Sequence, residues 1–210
     1  MLPQYYTVKQ SGAHEIVIQK SRFICHAKRV TTEKEAQDFI QGIKKEHWSA
    51  NHNCSAYLIG ERDQFQKAND DGEPSGTAGV PMLEVLKRKE LKDTVVVVTR
   101  YFGGIKLGAG GLVRAYSNSV SEGLTNIGIV KCTLMQIMHT KVDYTWLGKL
   151  ENELRNSPYA LKEIHYADNV IVDTFVEESQ KDAFTAWMTE LTNGQADISA
   201  GEVTYLEEEI

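Results

Sequence analysis

The sequence predicts an α+β protein of two domains, the first at residues 1–130 and the second at residues 131–210. In the first domain, alternating strand-like segments are followed by helical spacing and by a β-branched run at 94–102. The second domain repeats a strand–helix–strand order twice. The charge also divides: residues 1–131 carry 18 Lys and Arg against 14 Asp and Glu, a net +4, and the remainder carries 5 against 15, a net −10.

Several features locate the elements of the first domain. Residues 5–29 alternate around Ile16 and Ile18, which predicts strands. Thr32 and Glu35 have the spacing of a capping box and predict the start of a helix. The apolar run predicts a strand buried on both faces. The predicted elements after residue 29 are a helix at 33–47, a strand at 54–60, a polar loop at 61–79, a short helix at 81–89, a strand at 94–102, a glycine loop at 103–111 and a helix at 112–125.

The second domain has a regular order of elements. The predictions are a strand at 131–142, a helix at 144–156, strands at 160–167 and 170–177, a helix at 180–192 and a strand at 197–206. Ser179 is the predicted N-cap of the second of these helices. The order β-α-β-β-α-β is that of a ferredoxin-like domain.

The composition excludes several classes of protein. The chain is 41% hydrophobic and 25% charged, which is ordinary for a globular protein. No run approaches the roughly 18 apolar residues of a membrane helix, and the first residues lack the apolar core of a signal peptide. The 3 cysteines are widely spaced, which favours reduced thiols. We therefore expect a cytoplasmic protein with no membrane association.

An acidic loop is the first segment that carries chemical information. Three carboxylates within four residues are typical either of a metal or general-base site or of a hydrogen-bonded turn before a helix. Calcium-loop spacing fails at Lys67 and Ala78, and no G-x-S-x-G frame surrounds the serine. We therefore expect no metal, no cofactor and no catalytic residue here. The motif consists of Asp70, Asp71, Gly72, Glu73, Pro74, Ser75, Gly76 and Thr77.

A glycine-rich loop is the second such segment. A buried strand, glycines and a helix start are the parts of an anion cradle, in which backbone N–H groups face the ligand. The spacing matches neither a P-loop nor a dinucleotide fingerprint. The competing interpretation is a helix packed closely on its strand at Gly110, Gly111, Ala115 and Ser119. The candidate residues for binding an anion or RNA are Arg100, Tyr101, Gly103, Gly104, Lys106, Gly108, Gly110, Gly111 and Arg114.

Two further groups of residues have competing interpretations. His47, His52 and Cys54 are metal-ligand types, but no second ligand pair supports a site, so we interpret them as structural. Three aromatic residues, Tyr101, Phe102 and Tyr116, flank the glycine loop. Stacking of such rings on bases stays open, whereas core packing is the expectation for Phe102.

The two motifs together resemble those of the YigZ/IMPACT family. They read DDGEPSGTAGVP and VVVVTRYFGGIKLGAGGLVRAYS, in this order, and the resemblance spans essentially the whole chain. It implies an IMPACT-type first domain at 1–130, similar to the domain 2-like β-α fold of a ribosomal protein. It also implies a second domain similar to domain V of a translocation factor, in agreement with the ferredoxin-like order above.

The resemblance also carries a functional expectation. The family's eukaryotic relatives regulate translation under stress by interfering with activation of an initiation-factor kinase, through an additional N-terminal domain that we do not expect here. The leading interpretation is a regulator, rather than an enzyme, that binds RNA, the ribosome or a translation factor through its basic first domain. Arg100, Lys106 and Arg114 would contact phosphate. The acidic second domain would contact a protein partner.

Two alternatives remain open at the level of the sequence. One is an enzyme in which both loops form a phosphate- or metal-binding pocket, with Asp70, Asp71 or Glu73 as base or metal ligand and with Arg100 and Lys106 holding the anion. It requires the two loops to lie close together in space. The other is a protein–protein interaction module that uses its aromatic and glycine surfaces.

Overall fold

Two antiparallel sheets and five helices make up the computed structural model, which describes residues 1–210. This confirms the predicted α+β class. The chain divides into two units, Met1–Cys132 with Glu207–Ile210 and Thr133–Leu206. None of the helices has both the length and the apolar composition needed to cross a membrane.

The first unit is built on a five-stranded sheet. Its strands have the order β2-β3-β6-β4-β5, and every neighbouring pair is antiparallel. The elements are β1 (Gln4–Val8), β2 (Gly12–Ile18), β3 (Ser21–Arg29), α1 (Glu33–Glu46), β4 (His52–Ile59), β5 (Phe65–Asn69), α2 (Gly79–Arg88), β6 (Thr94–Tyr101) and α3 (Gly108–Ile127).

The central strand β6 is buried on both faces, as its apolar run predicts. Val95 and Val97 pack in a cluster with Ile40 and Ile43 of α1. The alternate residues of β6 pack in a second cluster with residues of α2 and α3. Helices therefore cover both faces of this antiparallel sheet, and β6 anchors the loop that follows it.

The capping box at the start of α1 is present. The Thr32 hydroxyl accepts from the Glu35 backbone N–H at 3.2 Å, and the Glu35 carboxylate accepts from the Thr32 backbone N–H at 3.2 Å. These two bonds satisfy N–H groups that the first helical turn leaves without intrahelical partners.

The structure corrects two predictions in the first unit. The polar loop predicted at 61–79 contains the strand β5, which pairs with β4 at the edge of the sheet. Its residues are largely exposed, so they lack the alternation that reveals a half-buried strand. The second correction concerns α3, which begins at Gly108 rather than at Leu112. Half of the predicted glycine loop is therefore the first turn of a helix.

The second unit has the predicted β-α-β-β-α-β order. In its sheet β9 lies between β7 and β8, and β10 pairs with the other side of β7. Ser179 is not an N-cap as predicted, because a short 3-10 turn at Glu178–Gln180 precedes the last helix. The elements are β7 (Ile129–Val142), α4 (Tyr144–Arg155), β8 (Ala160–Tyr166), β9 (Val170–Val176), α5 (Lys181–Leu191) and β10 (Asp197–Glu209).

Close packing of α3 on the sheet depends on a glycine other than those predicted. A Cβ built at Gly123 would lie 2.7 Å from both Cβ and Sγ of Cys25 on β3. Ala115 and Ser119 are buried on the same helix, whereas Gly110 is exposed. The packing interpretation therefore holds for the middle and end of α3 but not for its first turn.

Gly123→Ala tests this contact against Gly42→Ala on α1, where a Cβ would meet nothing within 4 Å. We expect Gly123→Ala to lower the free energy of unfolding by about 1–3 kcal/mol through overpacking. Gly42→Ala should raise it by about 0.5–1 kcal/mol, because alanine favours a helix. Urea unfolding measures both, and equal effects would contradict the close approach of α3 to β3.

Candidate functional site

A cleft of about 380 Å³ in the first unit lies between the loop that follows β5 and the loop that follows β6. Both motifs singled out from the sequence contribute to it, so the structure brings the two loops together. The lining residues are Asn51, His52, Glu73, Pro74, Arg100, Phe102, Lys106, Leu107, Gly108, Ala109 and Leu112.

Glu73 joins the two loops through a buried ion pair. Arg100 Nη1 donates to Glu73 Oε1 at 2.6 Å, and the side chains are only 6% and 4% exposed. The hydroxyl of Tyr116 on α3 donates to the same oxygen at 2.8 Å. Burial, together with Cys54 and Glu73 nearby, raises the pKa of Tyr116, so its hydroxyl keeps the proton it donates.

Arg100 therefore differs from the freely accessible phosphate ligand that the sequence suggested. Its charge is already neutralised by Glu73, although the side chain lines the cleft. Its Nε–H is buried and has no acceptor within the protein. Arg100 therefore combines a structural ion pair with an Nε–H that no acceptor in the protein satisfies.

His52 is a cleft residue that the sequence placed only in a metal-type group. Its Nδ1 lies 2.9 Å from the Asp71 backbone oxygen, which can only accept, so Nδ1 carries a hydrogen. Its Nε2 lies 3.8 Å from Glu73 Oε2. The backbone thus holds the imidazole with Nε2 toward the Glu73 carboxylate.

The other two acids of the first motif have partners different from those of Glu73. Asp70 accepts from the backbone N–H groups of Gly76, Ala78 and Gly79 at 2.8–3.0 Å, at the start of α2. Burial alone would raise the pKa of Asp70, but these three donors lower it below its usual value. Asp71 instead pairs with Lys44 at 2.6 Å.

The first motif therefore forms a hydrogen-bonded turn before α2. No group of three His, Cys, Asp or Glu side chains in the chain is arranged to hold a metal ion. Within the same turn the Thr77 hydroxyl donates to the Pro74 oxygen at 2.7 Å. Gly72, Ser75 and Gly76 are exposed beside it.

The start of α3 forms another side of the cleft. Its N-cap residue, Leu107, provides no side-chain cap, and the first turn contains no acidic residue. The first backbone N–H groups of this 20-residue helix are therefore left without a protein cap. Lys106 and Arg114 are exposed and form no ion pair, so positive charge surrounds this helix end.

The glycines of the second motif have different roles. A Cβ at Gly103 would lie 2.0 Å from the Lys20 carbonyl carbon, so this glycine is required by a close approach of the chain to itself. Gly104 and Gly108 have φ of +87° and +69°, a region that favours glycine. A Cβ at Gly111 would lie 3.0 Å from the Cβ of Leu107, whereas a Cβ at Gly110 would meet only Arg114 Nη1, at 3.9 Å.

One aromatic residue corrects an expectation, and the surroundings of two others and of a thiol are also defined. Phe102 is 46% exposed and lines the cleft, contrary to the core position expected for it. Tyr116 is fully buried and cannot stack on a base. Tyr101 is turned to His47, whose Nδ1 lies 2.9 Å from its hydroxyl. Burial raises the pKa of the Cys54 thiol to about 12, so it remains a neutral thiol.

Comparisons with known protein families identify both parts of the chain. Residues 19–124 match the Impact N-terminal domain, and residues 140–195 match a domain of unknown function, DUF1949. The chain is 70% identical to IMPACT family member YvyE of Bacillus subtilis (strain 168), over 100% of this chain and 97% of that protein. The chain belongs to the IMPACT family.

One further relative carries the same family name, and one solved structure is similar over most of the chain. The chain is 32% identical to IMPACT family member YigZ of Escherichia coli (strain K12), over 88% of this chain and 92% of that protein. A solved structure, described as the crystal structure of an hypothetical protein, matches with a TM-score of 0.60 at 28% identity. It covers 96% of this chain and 99% of that chain.

The second unit of this IMPACT family member contains a separate cluster that sequence analysis missed. Asp173 on β9 is 4% exposed and accepts from His139 Nδ1 at 2.6 Å and from His165 Nε2 at 2.9 Å. Burial alone would raise the pKa of Asp173, but the two imidazoles lower it overall. The residues lie on three different strands, so only strand register brings them together.

Glu73→Ala tests how far the cleft of this IMPACT family member depends on its ion pair. We expect a loss of about 3–5 kcal/mol in the free energy of unfolding, because the Arg100 charge stays buried without a partner. Glu15→Ala, which breaks the exposed Arg22–Glu15 pair with its 2.8 Å contact, should leave the free energy of unfolding nearly unchanged, because exposed ion pairs contribute little to stability. Urea unfolding compares the two variants. A loss of stability in Glu73→Ala as small as that in Glu15→Ala would contradict the dependence of the cleft on the buried Glu73–Arg100 pair.

Proposed function

We propose that the chain is a translation-associated regulatory protein that binds RNA or a ribonucleoprotein through the basic, glycine-rich face of its first unit. The cleft at the start of α3 carries this proposal. There, an uncapped helix N-terminus and Lys106 lie together with an exposed aromatic ring, Phe102, and Arg114 extends beside the first turn of the helix at Gly110. Phosphate groups favour helix N-termini and free cations, and unpaired bases stack on aromatic rings.

The charges of the two units differ. The first unit includes Glu207, Glu208 and Glu209 and carries 18 Lys and Arg against 17 Asp and Glu, a net +1, so its attraction to RNA comes from the unpaired cations at the start of α3. The second unit carries 5 Lys and Arg against 12 Asp and Glu, a net −7, and would repel RNA. We propose that the acidic second unit binds a basic surface of a protein partner. We also propose that the whole chain acts in the cytoplasm, together with the ribosome and its factors.

The variant Lys106→Ala/Arg114→Ala tests RNA binding at this face. Each cation that contacts a phosphate of a single strand contributes about 0.7 to the slope of log affinity against log salt. We expect the double variant to weaken binding to single-stranded RNA about tenfold or more and to reduce that slope by about 1.4. Fluorescence anisotropy across a salt series, together with co-sedimentation with ribosomes, measures the effect.

Lys87→Ala/Arg88→Ala is the matched control, because it removes one lysine and one arginine from an exposed turn of α2 outside the cleft. It should retain most of the affinity. Equal loss in both double variants would point to net charge rather than to this face. Absence of RNA binding at low salt would contradict the proposal altogether.

An enzyme is a second candidate function, favoured by the convergence of the two loops at the 2.6 Å Glu73–Arg100 contact. In that case His52 Nε2 would transfer a proton, and Lys106 with the start of α3 would hold a phosphate. Hydrolysis of p-nitrophenyl phosphate and its diester by the wild-type chain, lost in His52→Gln, is the expected result. Equal rates for the two proteins would remove this candidate.

A further inference from the structure

The cleft has room for one nucleotide unit and divides into an apolar and a polar side. Its volume of about 380 Å³ lies in the range of small-ligand sites. Pro74, Phe102 and Leu112 provide apolar surface, whereas Arg100 and Lys106 provide donors. A ligand that fills it therefore has an apolar, preferably aromatic, part and a compact anionic part.

Glu73 is the one acidic residue among those that line the cleft. Glu73 is neutralised by Arg100, so Lys106 and the positive end of α3 leave the lining with a net positive charge. A carboxylate at the first turn of the helix would satisfy this end internally, but the chain supplies none. Arg114 adds a second cation, since its Nη1 would lie 3.9 Å from a Cβ at Gly110.

The side chain of Arg100 is a second and independent indication of a ligand. It is 5% exposed and lines the cleft, and its Nε–H has no acceptor in the protein. A buried donor without an acceptor costs about 1–3 kcal/mol, which an anionic ligand in the cleft would recover. The helix end and the arginine are on different elements, yet both border the same cleft.

The number of donors distinguishes two kinds of phosphate. An internal phosphodiester has two free oxygens and one negative charge. A phosphate monoester has three free oxygens and a charge of about −1.5 to −2 near pH 7. Backbone N–H groups of α3, Lys106 and the Arg100 Nε–H provide donors for the three oxygens of the monoester, and Lys106 with the positive end of α3 provides the charge that its second negative charge favours.

We infer that the cleft binds a terminal phosphate monoester of a nucleotide, with the adjoining base stacked on Phe102. This inference rests on the proposed function, because the nucleotide is taken to be the end of an RNA strand. A free mononucleotide has the same chemistry and is the other source. The Arg100 guanidinium lies over one face of the Phe102 ring, 5.6 Å from its centre, and the residue is 46% exposed, so the base is assigned to the opposite face.

Ala109→Asp provides a direct test of this site. Ala109 is exposed in the first turn of α3 and lines the cleft, so the variant places a fixed carboxylate where the phosphate would bind. Acids in the first turn stabilise a helix, and the melting temperature should not fall. Asn118→Asp, at an exposed position of α3 that does not line the cleft, makes the same charge change and is the matched control.

The measurement is the affinity of an eight-nucleotide single-stranded RNA with a 5′-phosphate, a 3′-phosphate or hydroxyls at both ends, with AMP and UMP as competitors. We expect one phosphorylated end to bind at least about tenfold more tightly than the hydroxyl form. That preference should disappear in Ala109→Asp and persist in Asn118→Asp.

The remaining outcomes separate this inference from the proposed function. Equal affinity for phosphorylated and hydroxyl ends would overturn the monoester site and leave RNA binding standing. Binding of AMP or UMP without binding of RNA would support the site, with a free nucleotide as its ligand, and overturn the RNA proposal. No binding of either ligand, or a preference that Ala109→Asp does not reduce, would overturn the inference.

Discussion

The buried ion pair between Glu73 and Arg100 is the interaction on which the rest of the cleft depends. It links the turn before α2 to the end of the central strand, and the Tyr116 hydroxyl attaches α3 to the same carboxylate at 2.8 Å. Because Glu73 neutralises the charge of Arg100, the remaining positive charge of the cleft comes from Lys106 and the start of α3. The pair therefore determines both the shape of the site and which of its cations are available.

Much of the fold could be predicted from the sequence because its strongest signals are local. The run at 94–102 alternates between two apolar clusters, and Thr32 with Glu35 needs only a spacing of three to cap α1. The failures have local causes too. β5 is an exposed edge strand, whose residues carry no burial pattern, and Ser179 was misassigned because a 3-10 turn extends the helix N-terminus.

Less of the site could be predicted, because it is assembled by contacts between distant residues. The sequence identified both loops but not their ion pair, which joins residues 27 positions apart. Strand register decides the place of His52: it lies opposite Arg100 in the β4–β6 pairing and so borders the cleft. The exposure of Phe102 has the same origin, since β6 ends at Tyr101 and the ring no longer lies within the sheet.

The first turn of α3 shows why a ligand explains more of the sequence than packing does. Glycine in a helix costs up to about 1 kcal/mol relative to alanine. Gly108 needs glycine for its φ of +69°, but Gly110 does not, because a Cβ there would meet only the end of Arg114 at 3.9 Å. Neither backbone conformation nor packing accounts for this cost. An absent side chain leaves space above the N–H groups of the turn, which is what an anion approaching the helix end requires.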